Sequence, residues 1–365
     1  MGGSQVAGRI FVVAGARPNF MKVAPLMAAF RDHEAFDVSL VHTGQHYDEL
    51  MSDVFFSDLG LEPPDVSLGV GSGSHAEQTA GVLIGFENLC SKDAPDLIIV
   101  VGDVNGTLAC ALAARKLGIP VAHVEAGLRS RNWSMPEETN RILTDVISDY
   151  LFTPSPDADE NLRREGIGSE RIHWVGNVMI DSLVRALETL DSGRPVPDVG
   201  VEGAFGLVTL HRPSNVDDLG RLGDVLGSLA SLEVPLIFPV HPRTAKQIAQ
   251  DLGPSDSVRM IDPVGYYDFV GLMRKAALVV TDSGGIQEET TYLGIPCLTL
   301  RPQTERPITI EQGTNELATI DSLPEQVQRI LDGDWKEGSV PDLWDGHAAE
   351  RIVAVLSEGI ERRLE

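Results

Sequence analysis

Short runs of aliphatic and β-branched residues alternate along this chain with polar stretches of helical length. Residues 9–14, 38–43, 97–101, 121–125, 150–153 and 172–175 read as strands, each followed by a polar or glycine-rich turn and a helix-sized segment. Near-continuous apolar strands belong to parallel sheets covered on both faces, where neither side of a strand meets water. The first half is therefore expected to be a doubly wound α/β domain. A helix opens near Met179, and the breaker-rich run Ser192-Gly193-Arg194-Pro195-Val196-Pro197-Asp198 reads as a hinge or exposed loop. The pattern then restarts at 206–210, 236–240, 258–261, 278–281 and 297–300, giving a second domain of the same kind. The fold class expected is α/β, with two doubly wound Rossmann-like domains facing a central cleft. Their bounds are placed at 8–177 and 178–347. Residues 348–365, with Ile352, Val353, Val355, Leu356 and Ile360 at helical spacing, form a C-terminal helix that can pack back on the N-terminal domain.

Composition narrows the class. With 365 residues, 42% of them hydrophobic and 23% charged, the chain can bury two ordinary cores. No apolar run reaches bilayer-spanning length, and the first eight residues lack the basic start and apolar stretch of a secretory signal. Cys90, Cys110 and Cys297 are an odd number in apolar surroundings without metal-like spacing, which suits reduced thiols in a cytoplasm. The net charge is -25, and six of the 29 basic residues are lysine. Such a surface repels nucleic acid and anionic membrane, so an anionic ligand has to be held by a local pocket working against the overall field.

In open parallel sheets, ligands lie beyond the carboxyl ends of the strands, and the polar clusters of this chain fall there. The run Thr281-Asp282-Ser283-Gly284-Gly285-Ile286-Gln287-Glu288-Glu289 leads from a strand into a helix, so Ser283, Gly284 and Gly285 offer backbone N–H groups to a diphosphate. A tight capped turn explains the same residues without a ligand. Glu289 can reach back to ribose hydroxyls. Arg17 and Lys22, at the end of the first strand, are candidate phosphate partners, although a lysine on a solvated helix face is the commoner case. Asp103, Glu125 and Glu137 stand at or just after strand ends, where a closing site raises carboxyl pKa values. Helix capping, or pairing with Arg129 and Arg131, accounts for them equally well. His211 and His241 end two strands of the second half and titrate near neutrality. Phe269, with Tyr266 and Tyr267, can lie on a nucleobase or in the core. No histidine pair has the spacing of a zinc helix, so no catalytic metal is expected.

Taken together, Gly15-Ala16-Arg17-Pro18, Thr43-Gly44-Gln45-His46-Tyr47-Asp48, Gly102-Asp103, His123-Val124-Glu125-Ala126-Gly127-Leu128-Arg129 and Pro136-Glu137-Glu138-Thr139-Asn140-Arg141 resemble the non-hydrolysing UDP-N-acetylglucosamine 2-epimerases. Gly176-Asn177, His211-Arg212, Pro239-Val240-His241-Pro242, the run 282–289 and Thr304-Glu305-Arg306-Pro307 continue the match in order, over residues 9–319. The resemblance implies a glycosyltransferase-B-like fold, a homodimer, a UDP-sugar substrate and no cofactor. It implies Asp103, Glu125 and Glu137 as catalytic carboxylates with His211 assisting near the pyrophosphate. Arg17, Lys22, Ser283, Gly284, Gly285 and Glu289 would hold UDP, Phe269 would lie against uracil, His241 near the phosphates, and Arg129 would shape the sugar pocket.

The chemistry agrees with this assignment. The hydrogen on carbon 2 of the sugar is not beside a carbonyl, so a carboxylate cannot remove it until UDP departs and leaves positive charge on carbon 1. The family's first motif often carries threonine and glutamate where this chain has Ala16 and Asn19. Tyr47-Asp48, Val104-Asn105-Gly106 and Ser214-Asn215 also depart from the bacterial pattern, which argues against an activating second nucleotide-sugar site. Alternatives in decreasing order are epimerisation of a UDP-2,3-diacetamido uronic acid, hydrolytic release of N-acetylmannosamine, glycosyl transfer to an acceptor, and a non-catalytic nucleotide-sugar sensor.

Overall fold

The computed structural model describes residues 8–33, 36–44, 56, 58–216, 219–240, 245, 248 and 257–364. Two compact units emerge, one of residues 1–182 with 342–365 and one of residues 183–341. The division falls inside a helix, after Ser182, and not in the breaker-rich run at 192–198.

The first unit begins with β1 (Gly8–Ala14), α1 (Arg17–Arg31), β2 (Phe36–His42), β3 (Val66–Ser67), α2 (His75–Lys92), β4 (Leu97–Val101) and α3 (Asn105–Lys116). It continues with β5 (Val121–Val124), α4 (Pro136–Ile147), β6 (Tyr150–Thr153), α5 (Pro156–Arg164), β7 (Ile172–Trp174) and the start of α6 (Val178–Asp191). The strands form a parallel sheet in the order β3-β2-β1-β4-β5-β6-β7, which reverses direction between β1 and β4. Every residue of β4 is buried, as a strand with helices on both faces requires. Phe11, Val13, Ile98 and Val100 pack with Phe86 of α2 and the alanines of α3. Each such fully buried large side chain contributes roughly 1.5–3 kcal/mol over exposure.

The second unit runs β8 (Gly206–Thr209), α7 (Pro213–Val216), α8 (Leu219–Ala230), β9 (Leu236–Pro239), β10 (Val258–Ile261), α9 (Tyr266–Lys275), β11 (Leu278–Thr281), α10 (Gly284–Leu293), β12 (Cys297–Thr299), α11 (Ile308–Glu311), β13 (Asn315–Leu317) and α12 (Leu323–Leu331). Its parallel order β10-β9-β8-β11-β12-β13 repeats the same reversal, here between β8 and β11. Val208, Phe238, Val280 and Leu298 build its core with Leu222, Val225 and Leu229 of α8. Both units are doubly wound and Rossmann-like, so each has its own switch point at which a ligand can bind. Strands β3 and β13 escape a reading of apolar runs because they are two and three residues long.

Helix α13 (Ala348–Leu364) belongs to the first unit. Its first N–H groups, on Ala348 and Ala349, donate to the Asp181 carboxylate of α6 at 3.1 and 2.8 Å. Trp344 fixes the approach by donating to the Pro154 carbonyl at 2.9 Å. Two side chains, those of Asp181 and Trp344, thus anchor this segment by hydrogen bonds in addition to apolar packing. Among the described residues, no helix is long and apolar enough to cross a membrane.

Burial pushes the Asp181 carboxyl up to about 6, although the two N–H donors pull the other way. A carboxyl with a raised folded-state pKa binds more protons folded than unfolded, so its contribution to stability falls as pH rises from about 4 to about 6. Unfolding free energies of the native chain and Asp181→Asn, measured by denaturant across that window, should differ by an amount that declines with pH. A difference independent of pH would reject the assignment.

Candidate functional site

The switch point of the first unit is built around the turn after β4. Asn19, in the first turn of α1, accepts the Ala16 N–H at 2.8 Å and donates to the Val101 carbonyl at 3.0 Å, which ties the start of α1 to the end of β4. Lys22 follows one turn later and forms a buried ion pair with Glu125. Gly102 has φ +70°, and a Cβ there would lie 3.1 Å from Asn19 Nδ2 and 3.4 Å from both Glu125 Oε2 and Lys22 Nζ. Only glycine permits that turn and lets the three groups close on it. Glu125 itself sits at φ +72°, a conformation that costs a residue with a side chain roughly 1–2 kcal/mol. It is held there because the N–H groups of Glu125 and Ala126 both donate to the Phe152 carbonyl, at 3.1 and 3.0 Å.

Asp103 comes next. Its carboxylate receives Arg141 Nη2 at 2.5 Å and its carbonyl receives Asn140 Nδ2 at 2.8 Å, so α4 is fastened to the β4 turn. Glu137 precedes these two by one helical turn and shares their face. It is half-buried, and its carboxylate takes no hydrogen bond or ion pair among the described residues. Glu138 has the opposite fate. Buried, it accepts the Ser130 N–H and hydroxyl at 2.9 Å each and the Arg131 N–H at 2.7 Å, and pairs with Arg141 Nη1 at 2.8 Å. Asp103 and Glu125 thus flank one turn, with Arg141 and Lys22 as their counter-charges, and Glu137 stands one helical turn before Arg141 on α4.

A buried brace lies behind that turn. His123 Nε2 contacts the Gly102 carbonyl at 2.9 Å, and its Nδ1 contacts Asp145 Oδ1 at 2.6 Å. Asp145 also accepts the Gly127 N–H at 3.1 Å and pairs with Arg129 at 2.7 Å. Burial alone would raise the Asp145 carboxyl, but His123 and Arg129 outweigh it and hold the group below its ordinary value. Arg129 is spent in this brace: Nε and Nη2 bind Glu165 at 2.8 and 2.7 Å, and Nη1 binds the Leu128 carbonyl at 2.8 Å. With every guanidinium nitrogen engaged and the side chain buried, Arg129 braces the β5 turn.

In the second unit, Ser283, Gly284 and Gly285 open α10 with no side chain capping its first N–H groups. The half-exposed N-terminus keeps free donors and a positive dipole end. A Cβ on Gly284 would collide with the Arg306 guanidinium and lie 3.0 Å from Glu305 Oε1, so glycine is what lets that ion cluster sit under the helix start. Arg306 pairs with Glu288 at 2.8 Å and also with Glu305, which binds Arg301 at 2.6 Å. Glu289 is buried in α10 and accepts the Tyr266 hydroxyl at 2.7 Å. Burial pushes its carboxyl up to about 7 against the lowering effect of that hydrogen bond. Phe269 is half-buried on α9, while Tyr267 is buried beneath Arg194, whose Cζ lies 4.9 Å from the ring centroid. His211 follows β8, and its Nδ1 is 3.1 Å from Asp282 Oδ1. His241 and the Arg17 side chain lie outside the described residues. Among the described residues, no group of three or more His, Cys, Asp or Glu side chains converges as a metal site would require.

Reading the sequence for strand-end acids located the turns but not the residues that hold them. Arg141, Asp145, Asp282 and Arg306 were quoted at most as parts of motifs. One local signal for Arg141 was available, its i+4 spacing from Glu137.

A family profile described as UDP-N-acetylglucosamine 2-epimerase matches residues 28–357. The UDP-N-acetylglucosamine 2-epimerase of Methanococcus maripaludis is 42% identical over 337 residues, covering 89% of this chain and 91% of that one. The UDP-2,3-diacetamido-2,3-dideoxy-D-glucuronate 2-epimerase of Pseudomonas aeruginosa is 40% identical over 357 residues, covering 96% and 99%. A crystal structure of the Methanocaldococcus jannaschii UDP-GlcNAc 2-epimerase in complex with UDP-GlcNAc and UDP shares 40% identity and a TM-score of 0.89, covering 96% of this chain and 100% of that one. The glycosyltransferase-B-like class expected of the two sheets agrees with these likenesses. With the switch-point turns of both units built from the motif residues and a match over most of its length, the chain belongs to the UDP-N-acetylglucosamine 2-epimerase family.

Proposed function

We propose that the chain interconverts UDP-N-acetylglucosamine and UDP-N-acetylmannosamine by eliminating and re-adding UDP. The C1–O bond breaks and its electron pair leaves with UDP. Loss of the proton from carbon 2 to a carboxylate then gives 2-acetamidoglucal. Return of a proton to the opposite face and re-addition of UDP complete the exchange, so no net oxidation occurs and no cofactor is consumed. The observation that supports this reading most is the meeting of Asp103 and Glu125 at the Gly102 turn, with Glu137 one helical turn before the Arg141 that binds Asp103. Negative charge there favours the transient cation at carbon 1, while Lys22 and Arg141 keep the acids from repelling one another. Glu137, which meets no counter-charge among the described residues, is the acid whose carboxylate is open to the substrate. In the second unit, the α10 N–H groups suit a diphosphate and Glu289 suits ribose hydroxyls. A homodimer accompanies the resemblance, and exposed Ile84, Leu143 and Val146 are apolar residues that a second copy would cover.

A second reading rests on the Pseudomonas aeruginosa relative, which matches about as well and is named for a 2,3-diacetamido uronic acid. The same elimination serves both sugars, and comparing kcat/KM for the two separates them.

In deuterated water, UDP-N-acetylglucosamine followed by NMR should gain deuterium at carbon 2 in both epimers. Asp103→Asn and Glu137→Gln should each slow that exchange by about 100-fold or more. Isomerisation that leaves the recovered sugar unlabelled would overturn the mechanism. Glu125 adds a separable effect. Removing one partner of a buried pair strands the other charge, so Lys22→Met should lower stability by about 3–5 kcal/mol. The double variant Lys22→Met with Glu125→Gln should regain most of that stability in denaturant titration while staying inactive. Recovery of activity together with stability would remove Glu125 and Lys22 from the chemistry.

A further inference from the structure

We infer that Asp282 is the positioning residue for His211, fixing its ring so that Nδ1 carries the proton toward Asp282 and Nε2 is the nitrogen presented to ligand. This rests on the proposed function, in which His211 assists departure and return of the diphosphate. The two residues follow adjacent strands, because β8 and β11 pair in register up to Thr209 and Thr281. Asp282 is fully buried, whereas the His211 side chain is 61% exposed. Its carboxylate accepts the His211 N–H at 3.1 Å, the Arg212 N–H at 3.0 Å and Asn215 Nδ2 at 3.0 Å, and faces His211 Nδ1 at 3.1 Å.

Three N–H donors converging on one buried carboxylate stabilise its anion, which faces the His211 ring. Burial would raise the group, but His211, Asn215 and the Arg212 N–H hold it below its ordinary value. An anion at Nδ1 requires a proton on that nitrogen, which leaves Nε2 as the exposed atom of the ring. As imidazolium, His211 would donate Nε2–H to the phosphate oxygen that keeps the electron pair when the C1–O bond breaks. The same hydrogen bond would be released when that bond re-forms, so no proton is gained or lost overall. Other charged groups close to the pair are Arg212, whose Nε donates to the Asp282 carbonyl at 3.1 Å, and Glu305, 4.0 Å from Arg212. Glu305 is already paired with Arg301 and Arg306, and Asp282 is the carboxylate that faces the ring.

The test begins with the unaltered protein. Nitrogen-15 NMR of His211 above its titration midpoint should show the Nδ1–H tautomer, and a ring protonated on Nε2 instead would overturn the inference. Asp282→Asn should then lower kcat by about 100-fold with KM changed less than about threefold, and turn the neutral ring to a mixture of tautomers. In a His211→Gln background, the same substitution should cost little more. A full additional loss there would mean that Asp282 only holds the loop together, and would overturn the positioning role. Undiminished activity of His211→Gln alone would remove His211 from the proposed function, while the tautomer measurement would still decide whether Asp282 sets the ring.

Discussion

A buried charge has to be met by partners that replace water, and this requirement governs the turns at both switch points. The two sheets bring the ends of strands together, but apolar strands cannot shape the polar loops beyond them. Buried carboxylates do so. Asp145 gathers His123, Arg129 and the Gly127 N–H, Glu138 gathers Ser130, Arg131 and Arg141, and Asp282 gathers His211, Arg212 and Asn215. In each case an acid collects N–H donors from a loop and a charged or polar side chain from another element.

This device explains why strained backbone persists. Glu125 holds a left-handed conformation whose cost has to be met by its surroundings. The Phe152 carbonyl that accepts two N–H groups, the ion pair to Lys22 and the close approach at Gly102 together over-determine it. Acids that accept several N–H groups, such as Glu138 and Asp145, fix the loops around those to which the proposed function gives the chemistry.

Strand ends were legible in the sequence because runs such as 97–101 and 278–281 are apolar throughout and stop abruptly at a polar turn. The two-unit α/β class follows from the same runs. What lay beyond reach was orientation. Nothing in Glu137-Glu138 tells which acid turns inward, since that depends on the Ser130 and Arg131 N–H groups eight and seven positions away in sequence. Arg129 entered as a sugar-pocket residue through the family resemblance alone, and its pairing with Glu165, 36 positions on, leaves no local trace in the sequence. The unit division after Ser182 lies inside α6, an uninterrupted helix whose start coincides with the 177/178 bound expected from the sequence.

The net charge of -25 adds a final constraint on how an anion can be held. Many arginines of this acidic chain already serve as internal counter-ions: Arg129 to Asp145 and Glu165, Arg141 to Asp103 and Glu138, and Arg301 and Arg306 to Glu305. Their charge is cancelled where it stands, so little of it reaches a ligand. The open start of α10 is different, for its N–H groups carry a positive field without a net charge to be neutralised. Under the proposed function, the diphosphate is then favoured by fixed backbone dipoles over ionic attraction. Such dipoles need no reorganisation as charge develops on the leaving oxygen, so they are equally effective when UDP departs and when it returns.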